Sequence, residues 1–172
     1  MLTLSEPRIT ERGAYQVVGT YRAYEGDDEG PGWAGADNAF NARQNEITNR
    51  VDDMRLGFLY RPHKDHPEIP ADVRACFIGV EVTDLAHVPV DMATTRFSGG
   101  QYVVVECRGD TPDEAAMGVG EAIGMLGQWI TTQGYVEGDA CFAAGHEKAK
   151  TPPFIEYVFM KIEKQPSMMR DP

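Results

Sequence analysis

The stretch Phe154-Ile155-Glu156-Tyr157-Val158-Phe159 sets one carboxylate inside an aromatic and apolar run. A carboxylate among rings has three readings. It can pair with a cation that has shed its water, each ring face adding about 0.5–2 kcal/mol by cation–π attraction. Burial can raise its pKa and fit it for general acid or base work. Alternation can also simply turn it to solvent on a half-exposed strand. Other side chains suited to wall a pocket are Tyr15, Tyr21 and Tyr102 on expected strands, Trp33 in an expected loop and Trp129 late in an expected helix. Tyr157 follows Glu156 directly. Ordinary packing is the alternative for each ring.

Other chemistry-bearing patterns are discounted. His63-Lys64-Asp65-His66 has a metal-like spacing but lies between Pro62 and Pro67 with no further ligand cluster, and a zinc site wants three or four convergent ligands. Gly118-Val119-Gly120 running to Gly124 falls inside a helix rather than between a strand and a helix, so it is no phosphate loop. Ser98 and His146 have no nucleophile elbow around them. Cys76, Cys107 and Cys141 are odd in number and unpaired by spacing, as expected of buried free thiols in a reducing cytoplasm. No cofactor and no metal is expected.

The elements that must position these residues follow from periodicity. Tyr15 to Tyr24 alternates as a strand, and the Gly- and acid-rich stretch from Gly26 to Gly35 reads as a loop. Phe40, Ile47, Val51, Met54 and Phe58 predict a helix from about Asp37 to Leu56, capped by Asp37 or Asn38 and ended by Gly57. Arg61 to Pro70 is a loop and Arg74 to Thr83 a strand. Met92 to Glu106 reads as two strands about the turn Ser98-Gly99-Gly100. Thr111-Pro112-Asp113-Glu114 opens a helix with a capping box, running to about Gln133 and ended by Gly134. Its interior glycines suit a helix lying close against a sheet, or one that is somewhat mobile. Ala140 to Glu147 and Phe154 to Glu163 are the last strands.

Two local matches suggest duplication. Gly13-Ala14-Tyr15-Gln16-Val17 parallels Gly100-Gln101-Tyr102-Val103-Val104, and Ala75-Cys76-Phe77 parallels Ala140-Cys141-Phe142. The expected class is α+β: duplicated strand-helix-strand-strand units, residues 7–85 and 90–164, with a mostly antiparallel sheet, two main helices and a central groove. The 172 residues suit one domain, 1–172.

The formal net charge is -11. That disfavours direct nucleic-acid binding, which rests on Lys and Arg neutralising phosphates. It also draws cations toward any cleft. No apolar run approaches the roughly 18 residues of a membrane span, and the start lacks the features of a signal peptide.

Gly79-Val80-Glu81-Val82, Val90, Gly99-Gly100-Gln101-Tyr102-Val103-Val104, Gly109, Trp129, Gly134-Tyr135 and Ile155-Glu156-Tyr157-Val158 together resemble the gyrase-inhibitor-like (GyrI-like) effector-binding domain. That domain occurs at the C-terminus of some bacterial AraC-type and MerR-type regulators, and also alone. The resemblance spans roughly Pro7 to Glu163. It implies a duplicated fold with a central groove that binds lipophilic, often cationic compounds between aromatic side chains and a buried glutamate. Glu156 falls at that glutamate, and Trp129, Tyr102 and Tyr157 fall where groove aromatics are expected, with Tyr15, Tyr21 and Trp33 as further candidates. No helix-turn-helix precedes the first strand, so a cytoplasmic stand-alone binding module, regulating through a separate partner, is the expectation. One alternative implied by the resemblance is a hydrolase of strained electrophilic small molecules using Glu156, Tyr157 and Tyr102. Another is a module that binds a protein partner.

Overall fold

Alternating apolar side chains make a sheet, and a sheet with two apolar faces must bury both. The computed structural model describes residues 1–166; residues 167–172 of the expected domain lie outside the described residues. The strands are β1 (Thr3–Leu4), β2 (Arg8–Arg12), β3 (Tyr15–Tyr24), β4 (Met54–Tyr60), β5 (Arg74–Val82), β6 (Ala93–Phe97), β7 (Gly100–Gly109), β8 (Tyr135–His146) and β9 (Phe154–Lys164). The helices are α1 (Gly30–Arg43), α2 (Pro112–Met117) and α3 (Val119–Thr132). All strands join one open antiparallel sheet, in the order β1-β7-β9-β8-β4-β5-β3-β6, with β2 beside β1 on the edge of β7.

The expected duplication is present as β3-α1-β4-β5 and β7-α2-α3-β8-β9. The halves meet at the central β4–β8 pair. Tyr15 opens the first strand of its half, and Tyr102 is the third residue of the first strand of the other. The Ala-Cys-Phe match is not structural. Ala75-Cys76-Phe77 lies in the second strand after its helix and Ala140-Cys141-Phe142 in the first.

The strands either side of Ser98-Gly99 form as expected but do not pair with each other. The lead-in strand of each half crosses to the other: β2 pairs with β7, and β6 pairs with β3. The crossings touch, since a Cβ on Gly99 would lie 2.9 Å from the Ala14 backbone nitrogen.

The crossing rolls the sheet. Strands stand about 4.8 Å apart, so β8 and β3, three places apart, would be separated by about 14 Å if flat. Yet the rings of Phe142 and Tyr15 are 5.7 Å apart, and those of Phe58 and Phe97 are 5.0 Å apart. The concave face is a core of Tyr15, Phe58, Tyr60, Phe77, Phe97, Tyr102, Phe142 and Phe159. The convex face carries both helical units. Ala122, Leu126 and Ile130 of α3 pack on Val103, Val105, Val158 and Met160, and Phe40 of α1 packs on Val18 and Val80.

Two helix expectations need correction. The first helix spans Gly30–Arg43, not 37–56, and Trp33 lies in its first turn rather than in a loop. Its buried stripe is Gly32, Ala36 and Phe40, of which only Phe40 is large. A Cβ on Gly32 would come within 2.9 Å of the Cys76 sulfur, so the close seat requires glycine. Met54 and Phe58, four apart, satisfy a helix and a strand equally. Leu56 and Tyr60, also buried, decide for the strand β4, and Gly57 lies inside it. The second helix starts at its expected cap, with Thr111 Oγ1 accepting from the Glu114 amide at 3.1 Å. It breaks at Gly118, where a Cβ would press on Cys107 and Leu2. Gly120, Gly124 and Gly127 do not lie against the sheet, since a Cβ on each would meet nothing within 4 Å.

Two stability changes follow. Phe142→Ala, at the centre of the rolled core, should cost about 3–5 kcal/mol in urea unfolding. Gly124→Ala should stabilise by about 0.5–1 kcal/mol, because the exposed helix gains propensity without a clash.

Candidate functional site

The convex face between α1 and α3 has an unusually small floor. Residues that face the same way follow from register. Cys107, Glu156, Gly145 and Arg55 form one row across β7, β9, β8 and β4. Val105, Val158, Ala143, Gly57 and Ile78 form the next. Gly145, Ala143 and Gly57 put only small side chains on this face of the two central strands, a strip called the trough below. Trp33 of α1 leans over it, with its ring 3.4 Å from where a Gly57 Cβ would stand.

Glu156 rises from this floor. Its carboxylate folds over Gly145, whose Cβ, if present, would lie 2.7 Å from Oε1. Burial pushes the pKa of Glu156 up to about 7, against the opposing field of Arg55. Among the described residues no hydrogen bond or ion pair engages this carboxylate. Arg55 is committed elsewhere: its Nη2 donates to Asp37 at 2.5 Å and to Asn41 at 2.8 Å, and its guanidinium lies 4.8 Å over the Phe40 ring. Its Nε is buried without a partner. The trough therefore holds a desolvated carboxylate with no resident counter-ion in contact.

The other expected residues are divided by the sheet. Trp129 lies on the convex side, but at the far end of α3, stacked on Tyr135 with ring centroids 6.0 Å apart. Tyr15, Tyr21, Tyr102 and Tyr157 belong to the concave aromatic face. Tyr102 is fully buried and donates to the Ser98 carbonyl at 2.9 Å. Tyr21 packs against Tyr60, and Tyr157 meets the edge of His146. Because successive strand residues project oppositely, Glu156 and Tyr157 cannot wall the same hollow. Ser98 and His146 do not meet: Ser98 contacts Lys161 and Asp139, and His146 contacts Asp53. Among the described residues no cluster of metal-ligating side chains forms, and no helix is long and apolar enough to cross a membrane.

Sequence reasoning passed over Arg55 and a second charged site on the concave face. There Arg12 lies 4.7 Å over the Tyr15 ring and 3.8 Å from Glu81. Glu81 was legible as a carboxylate on the same face as Phe77. Arg12 was not, because its neighbours come from the strand crossing.

No protein-family model matches the chain, and no curated protein matches it. Solved structures do. SAV2435 bound to tetraphenylphosphonium is 16% identical with a TM-score of 0.62, over 92% of this chain and 94% of that one. The C-terminal domain of EcmrR is 12% identical with a TM-score of 0.62, over 93% and 98%. An integron cassette protein from the mobile metagenome of Vibrio cholerae is 15% identical with a TM-score of 0.57, over 94% and 99%. At these identities the likeness is one of fold.

Glu156 makes stability depend on pH with a defined sign. Its folded pKa of about 7 lies above its unfolded value, so the fold holds the proton more tightly. That stabilisation is complete below the ordinary carboxylate range and is lost as pH rises through about 7, a change on the order of 3 kcal/mol. Glu156→Gln should therefore flatten the decline of stability between pH 5 and about 8, as read by urea unfolding across that range.

Proposed function

We propose that the chain is a gyrase-inhibitor-like effector-binding domain whose ligand is a lipophilic organic cation held in the trough between α1 and α3. The observation that carries this is Glu156: a desolvated carboxylate, engaged by no protein partner among the described residues, folded over Gly145 on the same face of the sheet as Trp33. An unpaired buried carboxylate is costly, and a cation that sheds its water to meet it removes that cost. Trp33 offers the ring face. The shared fold adds support, because one protein of this fold was solved with tetraphenylphosphonium bound.

A pKa near neutrality also suits a general base, which supports a hydrolytic reading at the same carboxylate. Tyr157 and Tyr102, the partners named for that reading, project from the other face, so a water activated by Glu156 would react without them.

Glu156→Gln should weaken tetraphenylphosphonium binding at least tenfold in calorimetry at pH 8 and leave a neutral triphenyl analogue unchanged. Wild-type affinity for the cation should rise with pH through about 7, as the carboxylate ionises. Equal loss for both ligands would remove the counter-charge role. Steady turnover of a strained electrophile, abolished in Glu156→Gln, would favour the hydrolytic reading.

A further inference from the structure

The concave face holds a second carboxylate-and-ring arrangement, already occupied by the chain itself. The guanidinium of Arg12 lies 4.7 Å over Tyr15, 4.9 Å over Phe159 and 5.7 Å over Phe142. Among the described residues Glu81 is the only ion-pair partner of Arg12, its Oε2 3.8 Å from Nη2. That separation is an ion pair but too long for a hydrogen bond. A guanidinium has five fixed donors and normally binds a carboxylate in bidentate fashion. Arg12 does not. It is held by ring faces and by charge at a distance, which is how an aromatic cage holds an organic cation.

The strand carrying Arg12 lies at the edge of the sheet. β2 pairs on one side only, with β7, and leads into the exposed Gly13-Ala14 link. A Cβ on Gly13 would touch nothing within 4 Å. An open hollow of about 420 Å³ lies over the cage, with Arg8, Thr10, Arg12, Tyr15, Glu81 and Phe159 in its lining.

We propose that Tyr15, Phe142, Phe159 and Glu81 form a second binding site, for a guanidinium or small alkylammonium ion, and that Arg12 is its tethered occupant. An external cation enters as β2 withdraws, so the site is gated by the chain's own side chain. It is separate from the trough and stands on the opposite face of the sheet from Glu156.

The test is NMR titration with methylguanidinium. Arg12→Ala should bind it at least tenfold more tightly than wild type, with shifts at Tyr15 and Phe159. Adding Glu81→Gln should abolish the gain, whereas Glu156→Gln should leave it intact, which separates this site from the trough. In wild type, methylguanidinium should speed amide hydrogen exchange at Ile9 to Arg12 and not in α3. A folded Arg12→Ala that binds no more tightly than wild type, or a gain that survives Glu81→Gln, overturns the proposal. Should Arg12→Ala fail to fold, the wild-type exchange decides: unchanged protection at Ile9 to Arg12 overturns it.

Discussion

The contact of Phe142 with rings from both halves is the constraint from which the architecture follows. Phe142 lies near the middle of the sheet, and it touches Tyr15, Phe97, Tyr102 and Phe159 at centroid distances of 5.0–6.1 Å. A flat sheet could not bring β3, β6 and β7 to one side chain of β8. The roll that does so buries one face without any helix to cover it, leaving both helical units for the other.

This division of labour decides what each face can bind. The concave face is filled with large rings, and Arg12 lies over Tyr15 and Phe159 at the open hollow on its rim. On the convex face α1 rests on β3 and β5 and α3 on β7, β8 and β9, and small residues, Gly57, Ala143 and Gly145, lie on the central pair. Glycine at Gly145 is what seats the Glu156 carboxylate there. At Gly145 the missing side chain leaves room for the Glu156 carboxylate, whereas a Cβ at Gly57 would stand in ordinary contact with the Trp33 ring, 3.4 Å away. The same absence of bulk explains why Glu156 is desolvated yet not in contact with Arg55, which α1 draws away through Asp37 and Asn41.

Much of this was legible in the sequence. Period-two alternation found six of the strands, the capping box found the second helix, and the isolation of Glu156 among rings singled it out as a candidate. The misses have physical causes. The stripe Gly32-Ala36-Phe40 is nearly invisible to hydrophobic periodicity because close packing there selects small residues. Met54 and Phe58 fit two periods at once, so β4 was absorbed into a helix. The aromatic residues were grouped with Glu156 by type, yet alternation already placed Tyr157 opposite it. Arg12 could not be found, since nothing in a linear chain says that β2 leaves its own hairpin partner and lies across the other half.

That crossing has a consequence for how the molecule can be divided. Each half lends a strand to the other: β2 precedes β3 but completes the edge of β7, and β6 precedes β7 but completes the edge of β3. A chain cut between the repeats would yield two pieces, each with a bare edge and a loose strand that fits the other. Such fragments are built to recombine, or to trade strands with a second copy, rather than to stand alone.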